Sequence, residues 1–136
     1  MSTALSFRGT TYQVPIVGEA GWGAQVSNLL IALGILDDKK TDTTLTTLGT
    51  LTPVTRFHRI ASAAGEITLS ATTAIAAGSY TGQKLLLTGT SDTDIVVVPD
   101  GANTRLNGDW TSGIGKVLAL HWDADLADWI EDGRTP

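Results

Sequence analysis

The chain has 136 residues, a formal charge of −5 and no cysteine, which is one domain's worth of sequence and excludes a disulfide framework, a thiolate metal site and a cysteine nucleophile. Hydrophobic residues make up 42% but aromatics only 6%, and threonine is abundant, so the composition favours extended structure over helix. Five of the fourteen acids follow Trp122 against the single Arg134, leaving a near-neutral body without the basic stripe that nucleic-acid binding draws on.

Residues 1–40 read as an N-terminal arm and helix. Met1 to Gly18 hold scattered apolar positions, and Pro15 pushes Val14 towards the extended region. Tyr12, Val14 and Ile16 alternate, which suits an edge strand or a track along a partner's surface. There is no basic stretch leading into an apolar one here. No run anywhere approaches the roughly 18 apolar residues of a membrane span, so the expectation is a soluble chain with no membrane partner. After the turn Gly18-Glu19-Ala20-Gly21-Trp22-Gly23, the positions Val26, Leu29, Leu30 and Leu33 have the spacing of an amphipathic helix, predicted over about Ala24 to Leu36. Trp22 is placed to clamp its first turn.

Residues 41–65 read as a connector. Leu45, Leu48 and Leu51 are spaced by three, a period that suits neither helix nor strand over any length, while Arg56 to Ile60 reads as a strand. Arg56, His58 and Arg59 form the only basic cluster, read as a solvated loop or a set of local ion pairs.

Residues 66–136 read as a β domain. Apolar runs recur about every ten residues, at Ile67 to Leu69, Lys84 to Leu87, Ile95 to Val98, Leu106, Val117 to Leu120 and Trp129 to Ile130. Asp100-Gly101, Asn107-Gly108, Gly113, Gly115 and Asp132-Gly133 supply turn chemistry between them. The expected fold is mainly β: a short-stranded antiparallel sandwich or roll after an extended arm and one helix. Leu85-Leu86-Leu87 and Ile95-Val96-Val97-Val98 break the alternation of a sheet with one wet face, so a second sheet of the same chain or a neighbouring subunit must cover the other side.

No constellation carries catalytic chemistry. His58 and His121 have no nucleophile or carboxylate placed for a triad, and His121 reads as the outward or pore-facing alternate of its strand. Gly21 and Gly23 lack the strand and the Lys-Thr of a phosphate loop. Asp123, Asp125 and Asp128 lack the glycine and final glutamate of a calcium loop and read as turn carboxylates. No catalytic residue, metal ligand or cofactor is expected.

Val14-Pro15-Ile16-Val17-Gly18-Glu19-Ala20-Gly21-Trp22-Gly23 with the helix after it resembles the opening of small bacteriophage virion proteins. Glu66 to Ser70, Thr81 to Leu87, Leu106-Asn107-Gly108-Asp109-Trp110, Leu118 to Trp122 and Trp129-Ile130-Glu131 resemble the terminal β module of trimeric phage fibres and head-decoration proteins. The resemblance implies a homotrimer that binds without catalysing. It points to a decoration, or cement, protein on the outer surface of the virion head, with the major capsid protein as partner. In that reading Leu85, Leu87, Ile95, Val97, Leu106 and Trp110 form the subunit interface, and Tyr12, Val14, Ile16 and Trp22 attach to the capsid. A tail-fibre or head-fibre component is the first alternative. The second is a small carbohydrate-binding module with Trp110, Trp122 or Trp129 as stacking platforms, although a domain so poor in aromatics is expected to bury them.

Overall fold

The computed structural model describes residues 3–7, 10–14 and 40–136, so the predicted helix, Ile16 and Trp22 lie outside the described residues. Strands β1 (Thr3–Phe7) and β2 (Thr10–Val14) form an antiparallel pair in which Leu5 lies opposite Tyr12. The remainder holds nine further strands and, among the described residues, no helix. These are β3 (Lys40–Leu45), β4 (Phe57–Ser62), β5 (Ile67–Thr68), β6 (Lys84–Gly89), β7 (Val96–Val98), β8 (Thr104–Arg105), β9 (Trp110–Thr111), β10 (Val117–Asp123) and β11 (Asp128–Arg134).

The expectation of a mainly β chain holds, but the sheets are mixed rather than antiparallel. A six-stranded sheet runs β3-β4-β6-β10-β11-β8, and a three-stranded one runs β5-β7-β9. The β3–β4, β4–β6, β11–β8 and β5–β7 pairs are parallel. Parallel neighbours require long returns rather than tight hairpins. Those returns here are themselves parts of the structure, because successive stretches of chain wind into coils stacked in register. On one side lie β3, β4 and β6. On the second, Leu48 N–H donates to Thr68, Ile67 to Ile95 and Leu69 to Val97, at 2.9, 2.9 and 3.0 Å. On the third, Leu51 N–H donates to Ala74 and Ala74 to Ala102, at 2.9 and 3.1 Å. There the Asn103 side chain, at a φ of 57°, extends the ladder by donating to the Ile75 carbonyl at 2.6 Å.

The result is a short β-solenoid, a one-dimensional stack in which each coil leans mainly on its neighbours. Its interior is a single apolar cluster with rungs from every side: Leu45, Ile60, Leu85 and Leu87, then Ile67, Leu69, Val96 and Val98, then Leu51, Ala74, Ile75 and Ala102. Two corners use the same serine device. Ser70 Oγ accepts from the N–H groups of Thr72 and Thr73, and Ser91 Oγ accepts from those of Thr93 and Asp94. Each hydroxyl satisfies donors that the bend takes out of the ladder.

The stack is closed at one end by reversal of the chain. β10 runs antiparallel to β6, β9 antiparallel to β7, and β11 curls from β10 round to β8. Trp110, Trp122 and Trp129 fill this closure and are buried, as expected of scarce aromatics. Trp129 stands 5.4 Å from Trp122 and its indole N–H donates to the Ala76 carbonyl at 2.9 Å. At the opposite end β3 has no strand on its outer side among the described residues.

Several expectations are corrected. β3 and β4 belong to the same sheet as β6 and β10, so no boundary separates a 41–65 connector from a domain beginning at residue 66. The three-residue period of Leu45, Leu48 and Leu51 marks one corner of a coil: Leu45 and Leu51 point inward, and Leu48, at a φ of 59°, stands outside the bend. Gly101, Gly108 and Gly115 take the positive φ expected of turns, whereas Asp132-Gly133 is no turn but part of β11, where the register slips opposite Ala119 and Leu120. His58 is no solvated loop residue, for its side chain is fully buried while Arg56 and Arg59 are exposed.

Candidate interaction surface

The six-stranded sheet has an inner face that makes the core and an outer face whose composition is unusual. The alternation along β4, β6 and β10 sends His58, Leu85, Leu87, Leu118 and Leu120 inward and leaves Phe57, Leu86, Val117, Ala119 and His121 half-covered on the outside. Phe57 lies beside Leu86 and Leu86 beside Ala119, so three apolar side chains form one row across the strands. Ile130, opposite His121 on β11, adds a fourth half-buried apolar group. Solvated sheet faces ordinarily carry polar alternates, and an apolar row with a polar rim is how interaction surfaces differ from ordinary exterior.

The polar rim is ordered. Lys84 and His121 are cross-strand neighbours, and the slipped register of β11 lifts Asp132 between them. Asp132 accepts from Lys84 Nζ at 3.0 Å and lies 2.6 Å from His121 Nδ1. A carboxylate only accepts, so Nδ1 carries the hydrogen. Desolvation works to raise the Asp132 pKa, but the hydrogen bonds and charges of Lys84 and His121 prevail and hold it below the usual value. Arg56, Lys84 and Asp132 border an open groove of about 240 Å³ whose other walls are Leu85, Leu86, Ala119 and Leu120. The guanidinium of Arg56 has no partner among the described residues.

A second ionic group ties the closure together. Arg134 donates to both carboxylate oxygens of Glu131 at 2.7 and 2.6 Å and to the carbonyls of Asp109 and Gly108. The bond from Arg134 is the largest influence on Glu131 and outweighs its desolvation, so its pKa lies below the ordinary range.

The sequence-predicted interface residues fall into two groups. Leu85, Leu87 and Trp110 are taken up by the chain's own core, with exposures of 1%, 0% and 2%, so they present no surface to a partner while this fold is kept. The other coils, rather than a subunit, cover that side. Ile95, Val97 and Leu106 are half-buried, and Leu106 packs against the core. Tyr12 and Val14 lie on β2, apart in sequence from the outer row. The outer row itself, with Leu86 rather than its two neighbours, was legible only as the second face of the Leu85-Leu86-Leu87 run. The pairing of His121 with Asp132 left no trace in sequence, since it depends on a slipped register.

His121 is outward-facing, as its alternation suggested, but no hydroxyl is hydrogen-bonded to its ring among the described residues. The three buried tryptophans are not available as sugar-stacking platforms. Asp123 accepts from the N–H groups of Asp125 and Leu126 and so serves its own turn. Comparison with protein-family models, curated proteins and solved structures finds no match to the chain.

Proposed function

We propose that the chain is a non-enzymatic phage structural protein, a homotrimeric decoration or cement protein that binds the outer surface of the virion head and stabilises the shell. The observation that carries this reading is the apolar row Phe57, Leu86 and Ala119 on the outside of the widest sheet, bordered by the Lys84–Asp132–His121 group. Its chemistry is that of association: an apolar centre for burial and charged groups at the rim for register. The sequence resemblance to phage β modules supplies the setting, with the major capsid protein as partner. Stabilisation then follows by mass action, because a protein that binds the assembled shell and not its dissociated subunits favours assembly.

The test has two parts. Native mass spectrometry is expected to give a trimer, and Leu86→Lys is expected to give a folded monomer, because a lysine at the centre of the row must be desolvated on association. A wild-type monomer at micromolar concentration, or a Leu86→Lys trimer, refutes the surface assignment. Purified protein added to undecorated heads is then expected to bind and raise their resistance to heat, and heads that take up none refute the cement reading. The fibre alternative draws on the stacked coils, to which β3 offers an edge for further stacking. Few copies per virion, instead of one set per lattice site, would favour it.

A further inference from the structure

His58 is the one histidine in the described core. It lies on β4 with its side chain inward between the first and second coils, and both ring nitrogens are engaged. Nε2 lies 3.1 Å from the backbone N of Val54, with Thr55 N at 3.5 Å. A backbone N–H can only donate, so Nε2 must present its lone pair. The ring is then neutral with its hydrogen on Nδ1, which donates to Thr43 Oγ1 at 2.9 Å. The imidazole thus joins β3 to the connection between β3 and β4. The threonines around it extend the same seam: Thr41 Oγ1 lies 2.8 Å from Thr55 Oγ1, which donates to the Phe57 carbonyl at 3.0 Å.

A second proton on this ring has nowhere to go. Nε2–H would face the Val54 N–H, replacing a hydrogen bond with two opposed donors at a ring that has no exposed surface of its own. Among the described residues the surrounding elements supply no counter-charge. On β3, Lys40 and Asp42 are exposed, and Asp42 pairs with Arg59 at 3.3 Å. Arg56, before β4, and Arg59 on it are exposed cations. On β6, Lys84 is exposed and bonded to Asp132. No carboxylate among the described residues bonds to the ring.

We infer that His58 is an acid-labile latch: it holds the first coil, β3 and the 46–55 connection, against the stack, and its protonation releases that coil while the rest stays folded. The first coil is the element to yield because it is stacked on one side only among the described residues, and end elements open at lower free energy than those in the middle. Burial lowers the His58 pKa, so the linkage has a definite sign. The stability contributed by the neutral ring is fully present above the ordinary histidine value of 6.5 and is lost as pH falls from there towards the folded value.

The experiment is amide hydrogen exchange on the full chain between pH 7.5 and 5, expressed as protection relative to the intrinsic rate at each pH. Amides of Thr41 to Thr55 are expected to lose protection progressively as pH falls below 6.5, by at most about tenfold per pH unit, the limiting slope for one linked proton, while those of Leu85 to Leu87 and Leu118 to Trp122 hold theirs. His58→Gln, which keeps an acceptor but cannot ionise, is expected to flatten the slope. Should that variant fail to fold, nitrogen NMR of the wild-type ring is expected to show the Nδ1–H tautomer at pH 7. A flat profile, loss of protection in all strands together, an unchanged slope in His58→Gln, or an Nε2–H tautomer would each overturn the latch.

Discussion

Replacing Trp129 with phenylalanine isolates the bond that ties the closing hairpin to the third side of the stack. Trp129 is 0% exposed, packs against Trp122 at 5.4 Å and donates to the Ala76 carbonyl at 2.9 Å. Phenylalanine keeps an aromatic ring but removes the donor and part of the volume. Leaving a half-buried carbonyl without its partner costs about 1–2 kcal/mol, and the smaller ring leaves a void costing about another 1 kcal/mol. The sum, about 2–3 kcal/mol, corresponds to a fall in Tm of roughly 10 °C for a chain of this size. Trp122→Phe is the control, since it shrinks the other ring of the same aromatic contact, yet no described residue accepts a hydrogen bond from its indole. That variant is expected to cost about 1 kcal/mol. Urea unfolding followed by far-ultraviolet circular dichroism measures both, because the substitutions alter tryptophan fluorescence. Equal losses in the two variants would refute the argument, for the indole bond would then contribute nothing that packing does not.

Gly89→Ala is expected to destabilise by at least about 1–3 kcal/mol in the same assay, because a Cβ at position 89 would overlap the backbone of Gly113, which cannot rotate aside as a side chain can. Acid should weaken the closure through Glu131. Its depressed pKa means that its contribution is present above the ordinary value of 4.5 and lost as pH falls through the folded value, so Arg134→Met is expected to give a shallower decline of the urea midpoint between pH 5 and 3.

The strands themselves were readable in the sequence, since Lys84 to Leu87, Ile95 to Val98, Val117 to Leu120 and Trp129 to Ile130 all carry the apolar runs of sheet. Their stacking was not. Phe57 lies beside Leu86 and Ile67 beside Val96, an interval of 29 residues in each case, but Lys40 lies beside Phe57 after only 17. A repeat whose length changes after one coil has no visible period, and ten-residue spacing with glycine turns reads naturally as a chain of hairpins. The two-faced runs did report that β6 and β7 carry apolar side chains on both faces, of which only the inner one is buried by the chain's own coils. They did not say what buries it, and the inward places went to Leu85 and Leu87 instead of a partner. His58 was misread because its charged neighbours Arg56 and Arg59 point the other way, as a period of two requires. Asp132-Gly133 looks like a turn by composition, and only the register between β10 and β11 shows that the pair bends a strand.

The reversal that closes the stack also dictates when the protein can become stable during its synthesis. Coils laid on one another in parallel can begin to pack as each leaves the ribosome, yet β10 is what covers the free edge of β6, and β11 with Trp129 is what joins it to β8 and Ala76. A nascent chain that has reached Gly115 therefore has most of its apolar core and the edge of β6 uncovered, the condition in which partly made β proteins join to one another. The interval before residues 117–134 emerge is the hazardous one, and a pause in translation there should cost more soluble protein than a pause of equal length before β4.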